Sequence, residues 1–135
     1  MTTYDLIWES FLDNCGVDVS TLPSADEQKY AMIHNGIRHY NSVIDNSDTK
    51  LTFDDTNEEI NIGLDDTRLL ILAYCLKYVF LENDLVGFQQ LWQPFQKEMG
   101  QKFYREQIGG RENTLERTTK KITELLTNID DGTIM

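Results

Sequence analysis

Apolar residues return at steps of three and four along most of this chain, and they alternate with polar ones in only one short region. Tyr4, Ile7, Trp8, Phe11 and Leu12 mark a first amphipathic helix from Thr3 to Asn14. Asp5 suits the positive first turn of that helix, and Cys15-Gly16 ends it. A short connector closes on Leu22-Pro23. Ser24 and Glu27 then form a capping-box pattern, in which Ser24 accepts from the Glu27 amide and the Glu27 carboxylate reaches back. The helix that starts there carries the stripe Tyr30, Ile33, Ile37, Tyr40 and Ile44, which runs out near Asp45-Asn46-Ser47.

The stretch Leu69 to Leu81 is different, because it is apolar on nearly every face. A helix of that kind must be enclosed by protein, which makes it the hub of the fold. It is far shorter than the roughly 20 consecutive apolar residues that span a bilayer, so a buried core helix is expected and not a membrane span. Asp65 or Asp66 caps it, and it should run from Thr67 to about Asn83. A fourth helix, Asp84 to Gln107, should kink or break near Gln93, since Pro94 lacks an amide donor and clashes with the preceding turn. Trp92, Phe95, Phe103 and Tyr104 around that proline are expected in the core, with a docking surface for a neighbour as the alternative. Gly109-Gly110 interrupts the next stretch. Leu115, Ile122, Leu125 and Ile129 then line one face of a last helix from Arg111 to Asn128, and residues 129–135 read as a tail, frayed or docked.

Alternation is confined to the acidic segment 45–66, where eight acids face the single base Lys50. Lys50-Leu-Thr-Phe53 and Glu59-Ile-Asn-Ile62 flank a turn-rich centre, which predicts a small hairpin or extended arm. The expected fold is therefore all-α: one domain over residues 1–128, a bundle of four to five helices with a short β-hairpin or arm inserted, followed by the tail.

Length and composition agree with a single globular core: the chain has 135 residues, 40% of them hydrophobic and 26% charged. The N-terminus lacks a basic region followed by an apolar run, so nothing marks it for secretion. Cys15 and Cys75 suit an intracellular setting with reduced thiols, Cys75 as part of the core helix. Net charge is −11 and unevenly spread. Residues 1–94 carry 16 acids and five bases, whereas 95–125 carry seven bases and five acids. Such a chain repels nucleic acid over most of its length, which argues against a dedicated DNA or RNA binder but not against a protein that DNA passes without sticking.

No catalytic constellation emerges, and an enzyme is not expected. His34 and His39 lie about 140° apart around a helix, so they do not form an i, i+4 ligand pair; His34 reads as a polar surface residue and His39 as a helix-flank one. The run Asp54 to Asp65 has Glu59 at its sixth position, where a calcium loop needs Gly. No metal, cofactor or catalytic residue is predicted. The basic residues Lys97, Lys102, Arg105, Arg111, Arg117, Lys120 and Lys121 are interleaved with acids and read first as salt-bridged solvated faces, second as contacts to an acidic face of another subunit, and last as a duplex-binding surface.

Several features together resemble the head-to-tail connector adaptors of tailed bacteriophages. They are the opening Ile-Trp-Glu-Ser-Phe-Leu at 7–12, the capped helix ending in His-Tyr-Asn at 39–41 and the acidic loop. The Leu-Leu-Ile-Leu-Ala-Tyr-Cys-Leu-Lys helix then leads into Phe-Leu-Glu-Asn-Asp-Leu at 80–85 and Leu-Trp-Gln-Pro-Phe at 91–95, and a Lys/Glu-rich helix ends in Asn-Ile-Asp. The resemblance covers about Tyr4 to Asp130. It implies a structural virion protein of the neck, made in the host cytoplasm, whose helical protomers form a homo-oligomeric ring of about twelve copies under the portal protein. That ring would extend the DNA channel, pass DNA without binding it specifically, meet the next neck or tail protein, and involve no membrane. Arg117, Lys120 and Lys121, the acids Asp54, Asp55, Glu58 and Glu59, and the tip residues Ile134 and Met135 are the interface candidates. Two alternatives stay open: another neck or tail-completion protein of the virion, or a small acidic helical inhibitor of a DNA-binding protein.

Overall fold

A computed structural model describes residues 1–16, 22–44 and 50–134, with side chains placed as far as Asn128. In chain order the elements are α1 (Tyr4–Asn14), α2 (Asp26–Val43), β1 (Phe53–Asp54), β2 (Glu59–Ile60), α3 (Asp66–Trp92), α4 (Gln96–Met99) and α5 (Gln101–Ile134), with a 3₁₀ turn at Gln93–Phe95. This is the expected mostly helical fold, four long helices with a small antiparallel hairpin. The connector residues 17–21, the acids Asp45 and Asp48, and Met135 lie outside the described residues.

All-round apolarity translates directly into position, since α1, α2 and α5 each pack against α3. Ile71, Leu72, Ala73, Cys75 and Leu76 are all inaccessible to water, as are Ile7 and Phe11 of α1. Thr118 of α5 is buried too, with Ile122 and Leu125 of the predicted stripe. At Gly36, α2 lies so close on α3 that a Cβ would overlap the Leu76 side chain and sit 3.3 Å from Leu76 Cα. Past that crossing, His39 stacks on Tyr78. The Tyr40 ring is fully buried, and its hydroxyl finds no partner among the described residues.

The hairpin lies on the helices through its backbone. Phe53 pairs with Ile60 and Asp54 with Glu59, and residues 2–4 add a further edge. The Thr2 amide donates to Ile62 O, the Ile60 amide to Thr2 O, and the Tyr4 amide to Glu58 O at 2.8 Å. Asn41 of α2 brackets Leu51, accepting from its amide at 2.8 Å and donating to its carbonyl at 3.0 Å. Ile60 and Leu51 can then be buried without orphaned backbone groups.

Helix boundaries depart from expectation in four places. The first turn of α2 is capped by Ala25 with no side-chain bond, so Ser24 sits one residue too early for a capping box; Asp26 and Glu27 still favour that positive end. Second, α3 does not stop at Asn83. Glu82-Asn83-Asp84 contains no helix breaker, and the helix runs from its Asp65 cap, whose carboxylate accepts from the Arg68 amide, to Trp92. Pro94 does end it, as expected, by forcing the 3₁₀ turn. Third, the reversal between the long helices falls at Gly100, whose φ of 91° suits glycine, and not at Gly109-Gly110, which are helical. Fourth, α5 is assigned as helix on to Ile134, beyond the expected end at Asn128.

The molecule thus has two parts. In the body, α1, α2, the hairpin, the first half of α3 and the second half of α5 share one core. From Asn83, beside the first turn of α2, α3 continues for about 14 Å to Trp92. That extension pairs with the start of α5 as a two-helix stalk.

Candidate functional site: the hairpin clamp and the aromatic stalk

The structure brings the predicted hairpin acids together, but engages most of them within the chain. Asp54 Oδ1 accepts from the Thr56 and Asn57 amides, and Oδ2 from Asn57 Nδ2 at 2.8 Å, which holds its carboxyl below the ordinary range. Asp55 Oδ1 accepts from the Tyr4 hydroxyl at 2.6 Å and lies 2.7 Å from His34 Nε2. Those two partners, Tyr4 first, lower the Asp55 pKa, while burial and the same bond raise that of Tyr4. Glu58, at the left-handed φ of 53°, pushes the neighbouring Tyr30 hydroxyl up to about 12 by holding its proton. Glu59 is half-buried in β2, where it bridges to Thr3. Asp55 and Glu58 thus fasten the hairpin to α1 and α2, while Asp54 shapes the hairpin's own turn.

His34 is part of that clamp and not simply a surface residue. Its ring lies flat on Phe53 at 3.9 Å between centroids, with the Arg38 guanidinium 5.7 Å from the same ring. No periodicity signal could have found the Tyr4–Asp55–His34 cluster, because its members are 21 and 51 residues apart in sequence. His39 stacks on Tyr78 at 4.4 Å, and burial lowers its pKa against the opposing charge of Glu82.

Arg117, Lys120 and Lys121 are exposed on α5, and among the described residues none is in an ion pair. The expected helix-surface bridges with Glu112, Glu116 and Glu124 are therefore not formed. Ile134 ends α5, with its side chain outside the description.

The aromatics around Pro94 were expected in the core and are found outside it. Trp92 is 38% exposed, Phe95 and Phe103 each 49%, and Leu91 61%. The reason is length: α3 and α5 outrun the body, so only two helices are available to cover each other. Their seam is filled by Phe88, stacked on Tyr104 at 5.9 Å, and by Arg111. The Arg111 guanidinium sits 4.0 Å over the Phe88 ring while its Nε donates to Asp84 at 3.1 Å. Val86, Leu91, Phe95 and Phe103, outside that seam, face water.

Cys15 and Cys75 are free and buried, each pushed up to about 12 mainly by desolvation. Among the described residues no group of three His, Cys, Asp or Glu side chains converges as a metal site, and no helix is long and apolar enough to cross a membrane.

Fold and surfaces define a small acidic helical protein, with a hairpin clamped to its body and a stalk projecting from it. The chain belongs to the YomZ prophage protein family, whose pattern matches residues 1–130. It is 35% identical over 128 residues to a Bacillus subtilis (strain 168) protein described as SPbeta prophage-derived uncharacterized protein YomZ, covering 95% of each chain. No solved structure matches.

Proposed function

We propose that the chain is a structural protein of the phage particle, the head-to-tail connector adaptor that forms a ring under the portal and extends the DNA channel. Membership of a prophage protein family supports a phage role. The observation that carries the finer reading is the division of one protomer into unlike ends, an acidic body and a stalk with exposed aromatics and bases. A ring closed by one repeated contact needs two different, complementary surfaces. The partners in this reading are other copies of the chain, the portal protein and the next neck or tail protein. The net charge of −11 suits a conduit that DNA crosses without adhering.

A prophage lacking this chain should, on induction, accumulate filled heads and separate tails, and a cryo-EM map of wild-type particles should trace the chain as a ring in the neck. Deleting residues 129–135 should impair head-to-tail joining, and Lys120→Glu with Lys121→Glu should weaken ring formation more than folding. Complete infectious particles assembled without the chain overturn the reading.

One observation favours a second reading, an acidic inhibitor of a DNA-binding protein. Asp5, Glu9 and Asp13 are all exposed on α1 at four-residue spacing, an acidic ridge without an ion pair among the described residues and with a charge about every 6 Å. Tight binding of the monomer to a DNA-binding protein of the phage or host, together with absence from virions, would favour it.

A further inference from the structure

Five of the large apolar side chains exposed among the described residues belong to the stalk: Val86, Leu91, Trp92, Phe95 and Phe103. Phe88, Tyr104 and Arg111 close the seam, Trp92 leans on Phe88 and Phe95 on Trp92, and the outer faces of all five remain open to water. Around them Lys97, Lys102 and Arg105 are exposed beside Glu98 and Glu106, so the tip is mildly positive on a strongly negative chain. An apolar patch with a charged rim marks a binding surface.

The body offers its complement. Where α2 begins and α3 leaves the body, Pro23, Ala31, Met32, Val79 and Phe80 line a cleft of about 270 Å³. That falls below the roughly 300–1,000 Å³ of small-molecule sites and suits an inserted side chain. Asp26 and Glu27, both exposed, immediately precede Gln28, which lines the cleft. A chain cannot fill its own cleft, because Phe80 and Trp92 lie on one continuous helix about 18 Å apart. Tip-to-tip pairing would oppose Lys97, Lys102 and Arg105 to themselves, and cleft-to-cleft pairing would oppose the acids.

We propose that the aromatic tip of one copy docks into the α2/α3 shoulder cleft of a second copy, with Lys97, Lys102 and Arg105 meeting Asp26 and Glu27. The contact is heterologous and therefore repeats into a ring or filament. It deepens the connector reading by naming the surfaces that join protomers, and rests on that reading only for where the assembly stands.

Full-length chains carrying Gln93→Cys or Gln28→Cys, both at exposed positions, test it by thiol cross-linking. The native Cys15 and Cys75 do not interfere, being buried with their pKa values pushed up to about 12. The mixture should form the mixed dimer in about tenfold higher yield than either chain alone. Asp26→Lys with Glu27→Lys in the cleft-bearing chain should abolish that excess, and Lys97→Glu with Lys102→Glu in the tip-bearing chain should restore it. Circular dichroism confirms that each variant is folded. Equal yields in the mixture and the single chains, or no restoration by the charge swap, overturn the proposal. So does a tip that binds phosphatidylserine vesicles while giving no mixed dimer. All arms use purified protein, so the contact can stand while the neck location fails, and the reverse.

Discussion

Gly36 and Gly109 both sit inside long helices of one chain, and they do opposite things. Gly36 lies where α2 crosses α3 so closely that a Cβ would overlap Leu76, so the body is built around its absence of a side chain. Gly109, with Gly110 and Gly87, has nothing within 4 Å of where its Cβ would be. In the stalk, glycine only weakens the helix, by roughly 1 kcal/mol relative to Ala. The body is organised by close packing, whereas the stalk is a two-helix projection held by one layer of Phe88, Tyr104, Arg111 and Asp84. Its outer side chains are available to something else.

The largest test of that contrast is to empty the body. Leu72→Ala, at a fully buried site, should cost about 2–5 kcal/mol in denaturant unfolding. Phe103→Ala on the stalk should stay within about 0.5 kcal/mol, as for surface positions without special features. Equal losses would mean that the stalk aromatics are structural.

Overfilling the body comes next. Gly36→Ala should cost about 1–3 kcal/mol, because Leu76 can turn its side chain aside but its Cα stays in close contact. The same substitution in the stalk should change sign. Gly109→Ala and Gly110→Ala should each stabilise by about 0.5–1 kcal/mol, read as a higher unfolding midpoint or slower amide exchange along α5. A loss there would show that the pair acts as the hinge suggested by the sequence.

The smallest effects are those of pH, and both fall on the body. Burial lowers the pKa of His39, so its neutral form is favoured by folding. The resulting stability is complete above the ordinary histidine value of roughly 6.5 and declines as pH falls below it. His39→Phe keeps an aromatic partner for Tyr78 and should remove that decline. Asp55 has its pKa lowered by Tyr4 and His34, so its contribution is present above roughly pH 3.9 and is lost as pH falls through its folded-state value. Tyr4→Phe should shrink that acid-side loss, read from denaturant unfolding followed across the acid range.

Much of the body was legible along the chain because its signals are local. The stripe of α1, the all-round apolarity of Leu69 to Leu81, the Asp65 cap and the alternation around the hairpin each depend on neighbours a few residues away, and each element formed, with β1 at Phe53–Asp54 at the edge of its expected run 50–53 and α3 longer than expected. Ser24 misled because a capping box is defined by one residue of register. Gly109-Gly110 misled because glycine is tolerated within a helix that has partners on either side, here through Ile108 and Arg111. The true reversal at Gly100 looks like any isolated glycine until the backbone places it at positive φ.

The sequence by itself determined the helical class, the central helix, the hairpin and the break at Pro94, since periodicity, charge and missing donors act on the chain locally. Tertiary structure decided which side chains are left over. Trp92, Phe95 and Phe103 are as apolar as any core residue, yet they are exposed because α3 and α5 extend beyond the helices that could cover them. Asp55 and Glu58 are as acidic as any surface loop, yet they are engaged because folding brings Tyr4, Tyr30 and His34 around the hairpin. Burial and pairing depend on how far one element reaches past another, and no single segment of sequence contains that length difference.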